Sequence, residues 1–465
     1  MSSTTRAFLL AAGLGTRLRP LTDWTPKCLL TVAGRPLLAW WLDHLRAAGV
    51  ESALVNTHAH AGQVREFLRH HPSPIRLQEA WEPKLLGSAG AIAAHPELAD
   101  GADDLILINA DNFSSIDLRQ LLAFHRSHSD PVTMALFRTP MPRACGIATL
   151  DEVGRVVRFV EKPQNPESDL ANAGIYVVRA SAYREIAAMA AFDLGHDVLP
   201  RFVGRMRGWE TKIYHRDVGT PDALVSARRD AAAGLTIAGR VVQPTQRPAV
   251  FLDRDGTLIE EVPYLCDPRQ VRLLPGAAQA VRRLRQAGYA TVVVTNQSGV
   301  GRGYFTDEEV RLCNEEMRRQ LEAEGAYLDG VYSCPVAPVG KDRSVVEHPD
   351  RKPGPGMLLR AAADLELDLS RSWMVGDLIS DVLAGSNAGC RGSILLTSEP
   401  TRVSGGSSEP TRVSGGSGEP TTARQFPYLC APDLKTAARQ ILRSSQPSRV
   451  SGGRDRREQR VLTRI

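Results

Sequence analysis

The chain has 465 residues, 43% of them hydrophobic, which bounds it at about three globular domains by length and gives ample material for separate cores. Its net charge of +5 is small for this size, and no apolar run approaches the length of a membrane span, which argues against an integral membrane protein. Seven scattered cysteines form no Cys-x-x-Cys pair and no disulfide framework, so a reducing cytoplasm is expected and the disulfide-stapled secreted class is excluded.

The first predicted element is an apolar strand, Ala7 to Ala12, followed by Gly13-Leu-Gly15-Thr16-Arg17-Leu-Arg19-Pro-Leu-Thr22 and then Pro26-Lys27. A strand feeding a glycine-rich turn brings backbone amides close to phosphates, and Arg17 and Lys27 add the cations that a departing pyrophosphate needs. The stretch also has the look of a short signal-peptide core, but a strand and phosphate loop explain it better, because cleavage would remove the loop. Gly-Lys-Ser/Thr is missing, so this is no Walker loop. Asp104 to Ala110 is a second strand, with Asp111 at its end where a metal-binding carboxylate belongs. Glu161-Lys162-Pro163, Asn172-Ala-Gly174 and Asp217-Val-Gly219 follow. Trp40-Trp41 and Trp81 read as core or rim aromatics, not base-stacking platforms.

Taken together, residues 6–235 resemble the sugar-1-phosphate nucleotidyltransferases. The resemblance implies a Rossmann-like domain in which a sugar 1-phosphate attacks the α-phosphorus of a nucleoside triphosphate, without a protein nucleophile. It assigns Gly13, Gly15, Thr16, Arg17 and Lys27 to the triphosphate, and Asp111 and Asp217 to magnesium. Gly146, Glu161, Lys162 and Asn172 fall on the sugar-phosphate side. Asn-Ala before Asp111, and Cys145 before Gly146, depart from the usual pattern and bear on sugar preference more than on activity.

Residues 236–248, bracketed by Pro244 and Pro248, read as a polar linker. Beyond it Val250, Phe251 and Leu252 form a buried strand running into Asp253-Arg-Asp255-Gly256, where a sharp turn can aim both carboxylates at one cleft. One carboxylate can attack phosphorus while the other moves protons, so Asp253 is the candidate nucleophile and Asp255 the candidate acid/base. A loop pair that caps the next segment is the bland alternative, and the downstream residues weigh against it. Ala290 to Thr295 is a second strand ending in a hydroxyl before a glycine-rich stretch containing Asn296 and Arg302. Arg351-Lys352 supplies fixed positive charge, and Met374-Val-Gly-Asp377 is a third strand ending in a carboxylate, with Asp381 a helical turn later. Only 39 residues separate Asp255 from Thr295 and 56 separate Thr295 from Lys352, which leaves no room for a lid domain once a helix near 306–325 and a strand near 328–333 are counted.

These four motifs, over roughly 248–397 and more weakly 425–443, resemble the haloacid-dehalogenase superfamily. DRDGTL, NQSGVGRGYFT and RKPGPGM are similar to its heptose 1,7-bisphosphate and histidinol phosphatase subfamily. The resemblance implies a capless Rossmannoid domain and a phosphoaspartyl intermediate on Asp253. It places magnesium on Asp253, Asp377 and the Asp255 backbone and suggests Arg302 and Arg351 as substrate-phosphate contacts, beside Thr295 with Asn296 at the strand end and Lys352, which the residues themselves offer for phosphate. The subfamily's zinc loop is represented by Cys334, Val336, His348 and Asp350; two of the four ligand types have changed class, so zinc is not expected.

Helices are predicted near 219–234, 276–287, 356–366 and 433–442, alternating with strands, so both halves read as α/β with mainly parallel sheets. The expected domains are 1–235 and 249–443. Ser398-Glu-Pro-Thr-Arg-Val-Ser-Gly-Gly is nearly repeated at 408–416 and degenerately at 445–453, which reads as a disordered insertion at 398–424 and a disordered tail at 444–465. From 443 to 465 seven arginines oppose Asp455 and Glu458, a surplus of five that equals the whole net charge. With no aromatics among them, a solvated tail is expected over nucleic-acid binding. The expected partners are sugar phosphates and a nucleoside triphosphate, not a membrane.

The two halves together read as a bifunctional enzyme of nucleotide-sugar synthesis. The phosphatase would strip one phosphate from a sugar bisphosphate, a heptose by resemblance, and the transferase would couple the remaining sugar 1-phosphate to a nucleotide, GTP by analogy. Two other readings stand beside it: a hexose-1-phosphate transferase fused to a histidinol-phosphate-type phosphatase, and a non-catalytic nucleotide-sensing domain that regulates the phosphatase.

Overall fold

The computed structural model describes residues 3–342, 344–397 and 428–444; the insertion at 398–424 and the arginine-rich tail from residue 445 lie outside them. The first half is built on a nine-stranded sheet with Thr5–Leu10 near its centre. That strand pairs in parallel with Ser52–Thr57 on one side and Asp104–Asn109 on the other, placing Phe8 opposite both Leu54 and Leu107. These residues are apolar at both faces and buried, as a strand covered by helices on two sides requires. Past Asp104–Asn109 the direction changes. Leu170–Arg179 lies antiparallel to it, and Val132–Arg138 and Gly146–Leu150 lie antiparallel to Leu170–Arg179. Parallel pairing therefore holds where the glycine-rich turn emerges. The flank is mixed because a short loop, not a crossover helix, joins Gly146–Leu150 to its neighbour Val156–Glu161.

The second half carries a six-stranded sheet whose five pairings are all parallel. Ala249–Leu252 sits inside it between Ala290–Asn296 and Trp373–Gly376. Successive strands move outward first on one side and then on the other, so the carboxyl end of Ala249–Leu252 is the switch point where such sheets bind ligands. Asp307–Ala323 and Gly356–Leu365 are the long helices among the crossovers, and no second sheet intervenes among the described residues. A capping box at Thr306 and Glu309 starts the first of these helices.

Residues 236–248 are more structured than their polarity suggests. Thr236–Ile237 and Arg240–Val241 form a small antiparallel hairpin, and Ile237 and Val242 are buried in an apolar cluster with Leu18, Trp40 and Phe113. Two apolar residues in a polar stretch are a weak periodic signal, yet they tie the segment to the first half. Trp40 and Trp41 are buried, with their indole N–H groups donating to the carbonyls of Val32 and Asn112. Trp81 ends an edge strand and is exposed. Among the described residues no helix is long and apolar enough to cross a membrane.

Two candidate active sites

In the second half, Ala249–Leu252 delivers Asp253 to the switch point, where its amide donates to the Val375 carbonyl. Lys352 approaches from the other side. Its ammonium lies 2.6 Å from Asp253 Oδ1 and 2.7 Å from Asp381 Oδ1 and donates to the Val294 carbonyl at 2.8 Å. Lys352 is only 4% exposed, and Asp253 and Asp381 are equally withdrawn from water. Burial pushes the Asp253 carboxyl up to about 7, against the pull of Lys352 and with Asp381 and Asp255 adding repulsion. Burial would lower Lys352, but the two carboxylates outweigh it and hold its pKa above the ordinary lysine value.

Asp377 completes the group. Oxygens of Asp253, Asp377 and Asp381 lie within 4.8 Å of one another. Asp377 Oδ1 is buried with no hydrogen-bond partner among the described residues, and burial followed by repulsion from Asp381 raises its pKa to about 6. An orphaned oxygen among three carboxylates suits a small hard divalent cation. Gly256 makes the approach possible: its φ is +70°, and a Cβ there would stand 2.3 Å from Asp377 Oδ2.

Asp255, close enough to repel Asp253, has partners of its own. Arg254 grips it through two 3.1 Å bonds, one to each oxygen, and Gln297 Nε2 donates to it at 3.2 Å. Arg254 is itself 1% exposed and donates its remaining arm to Asn314 at 3.0 Å. The motif as read from the sequence gives Arg254 no role. The signal was there in a fixed cation between two carboxylates, since neither acid could be buried beside a strand without one. Gln297 lies inside the NQSGVGRGYFT motif but is given no role there, and Asn314 carries no motif signal. Of the expected phosphate contacts, Thr295 is buried and accepts from Gln297 Nε2, whereas Asn296 exchanges two hydrogen bonds with the Lys352 backbone and so places that lysine. Arg351 is buried and donates to the Val336 carbonyl; Arg302 is exposed just past the Ser298–Gly301 turn. At the former zinc loop, Asp350 pairs with Arg360 at 2.6 Å and His348 Nδ1 accepts the Asp350 amide.

In the first half, a cleft of about 370 Å³ opens at the carboxyl end of Thr5–Leu10. Gly13, Lys27, Asp111, Glu161 and Asn172 line it together. Lys27 is buried and in contact with Asp111, and its ammonium is 3.7 Å from Asp217. Most of the Asp217 side chain is exposed, although the chain crowds it from one side. That partial desolvation, with repulsion from Asp111, raises its pKa against Lys27 and Arg17. Two repelling carboxylates with only these cations between them suit a divalent ion as well. Gly13 has nothing within 4 Å of where a Cβ would be, so its bareness serves the cleft, whereas Gly15 (φ +63°) is needed sterically because a Cβ would meet Thr22 at 2.8 Å. Thr16 and Arg17 are exposed on the rim, and a Cβ on Gly219 would lie 3.0 Å from the Arg17 guanidinium.

Glu161 is partly buried, which raises its pKa despite Lys162, whose ammonium lies 3.8 Å away and is mostly exposed. Gly146 leaves room for it, since a Cβ there would be 2.4 Å from Glu161 Oε2. Asn172 donates to the Tyr176 hydroxyl and accepts the Gly174 amide. Asn56, which carries no motif, holds the turn in place by accepting the amides of Ala11 and Ala12.

Comparison with known proteins agrees with both halves. The family described as Nucleotidyl transferase matches residues 6–234, and that described as HAD-hyrolase-like matches 350–415. A D-glycero-D-manno-heptose-1,7-bisphosphate 7-phosphatase of Thermosynechococcus vestitus is 45% identical over 166 residues, covering 35% of this chain and 85% of that protein. The D-glycero-beta-D-manno-heptose-1,7-bisphosphate 7-phosphatase of Pasteurella multocida is 40% identical over 160 residues, 34% of this chain and 87% of that one. Mannose-1-phosphate guanylyltransferase of Mycobacterium tuberculosis is 35% identical over 235 residues, 49% of this chain and 65% of that protein's length. The molecule is thus an enzyme with two catalytic halves, a nucleotidyltransferase and a haloacid-dehalogenase-type phosphatase. Through the second half the chain belongs to the heptose-1,7-bisphosphate 7-phosphatase family.

Proposed function

We propose that the phosphatase half removes the C7 phosphate of D-glycero-D-manno-heptose 1,7-bisphosphate and that the transferase half joins the resulting heptose 1-phosphate to GTP, releasing pyrophosphate. The observation that carries this is Asp253 at the switch point against Lys352, in a half 45% identical to a phosphatase of that name. The 35% identity to a guanylyltransferase supports the guanine nucleotide. The expected setting is the cytoplasm, which suits seven cysteines without a Cys-x-x-Cys pair.

In the phosphatase, an Asp253 oxygen attacks phosphorus and the bond to the sugar oxygen breaks, with Asp255 giving that oxygen its proton. Asp255 then takes a proton from water, which attacks the phosphoaspartate, releases phosphate and restores Asp253. Arg254 and Gln297 keep Asp255 aimed through both steps, and Lys352 offsets charge beside Asp253. Asp253 and Asp377, with Asp381 alongside, would hold magnesium, which supplies charge neutralisation at the phosphoryl oxygens.

In the transferase, an oxygen of the sugar phosphate attacks the α-phosphorus and the bond to pyrophosphate breaks. Arg17 and Lys27 balance the charge of the departing group, Asp111 and Asp217 would hold magnesium, and Glu161 and Asn172 are placed to orient the sugar phosphate. Domain limits of 1–235 and 249–443 follow from this division.

The test is one reaction containing heptose 1,7-bisphosphate, magnesium and each nucleoside triphosphate in turn, with products read by mass. A guanosine diphosphate heptose is expected with GTP. Absence of phosphate release from the heptose compound would overturn the phosphatase assignment, and a faster product with another nucleotide would replace guanine.

A further inference from the structure

The loop between Gly13 and Lys27 has two sides. One faces the cleft with Arg17 and Lys27, and the other rests on the phosphatase half. Leu21 packs against one of that half's apolar clusters and Trp24 against the other. Thr25 Oγ1 donates to the Asp329 carbonyl at 3.2 Å. At the centre of this contact is Arg318, on the helix Asp307–Ala323. One arm of its guanidinium donates to the Asp23 carbonyl at 3.1 Å and lies 3.4 Å from His60 Nδ1, and the group sits 5.7 Å from the Trp24 ring centroid.

His60 passes the contact on. With Nδ1 turned to Arg318, Nε2 carries the proton and donates to the Thr22 carbonyl at 3.2 Å. Thr22 Oγ1 in turn donates to the Gly15 carbonyl at 2.8 Å, and its methyl fills the space that a Gly15 side chain would need. Three consecutive contacts therefore run from Arg318 to the glycine-rich turn. Helix and loop are 295 residues apart in sequence at the Arg318–Asp23 bond, so only the fusion brings them together.

We infer that Arg318, a residue of the phosphatase half, is a positioning residue for the transferase: it fixes the conformation of the triphosphate loop through Asp23, His60 and Thr22 without touching either substrate. The inference rests on the transferase reading above for its catalytic consequence, but not for its structural one. Without the guanidinium, the Asp23 carbonyl and His60 lose their shared donor and the loop samples arrangements in which Arg17 and Lys27 are misplaced for phosphate. Binding of nucleoside triphosphate then costs the energy of reordering the loop, while the sugar-phosphate side, on separate strands, is untouched.

The experiment uses full-length Arg318→Met, which keeps the apolar stem beside Trp24, and Arg318→Lys, which returns a charged donor. Pyrophosphate release is followed while GTP and sugar 1-phosphate are titrated separately, and amide exchange at residues 21–25 is read without ligands. In Arg318→Met the KM for nucleotide is expected to rise roughly fivefold to twentyfold, with kcat and the sugar-phosphate KM little changed. Exchange at 21–25 quickens while that of Thr5–Leu10 and Ala249–Leu252 stays slow. Arg318→Lys recovers most of both. An unchanged nucleotide KM with unchanged exchange at 21–25 overturns the inference, as does a loss spread equally over kcat and both KM values. If the unaltered enzyme releases no pyrophosphate from any nucleotide, the transferase reading fails, and exchange at 21–25 alone then decides whether Arg318 holds the loop.

Discussion

The two active sites solve the problem of concentrated charge in opposite ways. Around Asp253 most of the charge is withdrawn from water and already matched: Lys352 contacts Asp253, Asp381 and a carbonyl, and the buried Arg254 locks Asp255, while Asp377 keeps an oxygen without a partner among the described residues. Around Asp111 the charges stand at the edge of a cleft of about 370 Å³, with Asp217 and Arg17 open to solvent. The difference follows from the chemistry. A protein nucleophile must be held at one angle in a dry site, whereas a reaction between two bound molecules needs room for both and fixed charge only where the leaving group departs.

The sharpest way to separate the sites is to remove the nucleophile. Asp253→Asn is expected to lower phosphate release by about 10⁴-fold or more, because the covalent route disappears, with pyrophosphate release unchanged within about twofold. Parallel phosphate and pyrophosphate assays on one preparation check this, and a matching loss of both would mean that the sites are not separate. Lys27→Met is the reverse experiment. Pyrophosphate release should fall by about 10²–10³-fold through loss of charge stabilisation and through unrelieved repulsion between Asp111 and Asp217, while phosphate release persists. A variant that keeps more than a tenth of transferase activity would show that Lys27 only braces the cleft.

The smallest expected effect concerns the seam between the halves. Burial, then Arg318, lowers the His60 pKa to about 4 from an ordinary 6.5. The unfolded chain therefore takes up the proton first, and this contribution to stability is whole above about pH 6.5 and is lost as pH falls toward 4. His128 and His215 are shifted the same way, so His60→Gln should reduce the acid slope of the melting temperature without abolishing it. An identical slope in the variant would mean that His60 is as easily protonated in the folded protein as in the unfolded one.

Much of both sites was legible because chemistry at the end of a strand leaves a local mark: an apolar run, a turn residue and a charged group in fixed order. Asp253, Asp377 and Asp111 each end such a run, and Lys352 follows from the need for a cation near them. What escaped was long-range. Asn314 reaches Arg254 across 60 positions, and Asn56 holds Ala11 across 45, so neither belongs to any pattern that a window can contain. The hairpin at 236–241 escaped for another reason: its buried Ile237 and the adjoining buried Val242 are diluted by polar neighbours. The antiparallel flank of the first sheet was hidden because strand direction depends on loop length and pairing, not on the strands' own composition.

That hairpin changes how product transfer should be pictured. A flexible tether lets one module search the volume around another and raises its effective concentration according to tether length. Here Ile237 and Val242 are anchored in the first half, and Gly34 N–H donates to Glu366 beside the point where Thr245 meets Ala33. The connecting segment is thus held by contacts along its length. Lengthening the connection would therefore loosen the seam and would not act as a longer tether.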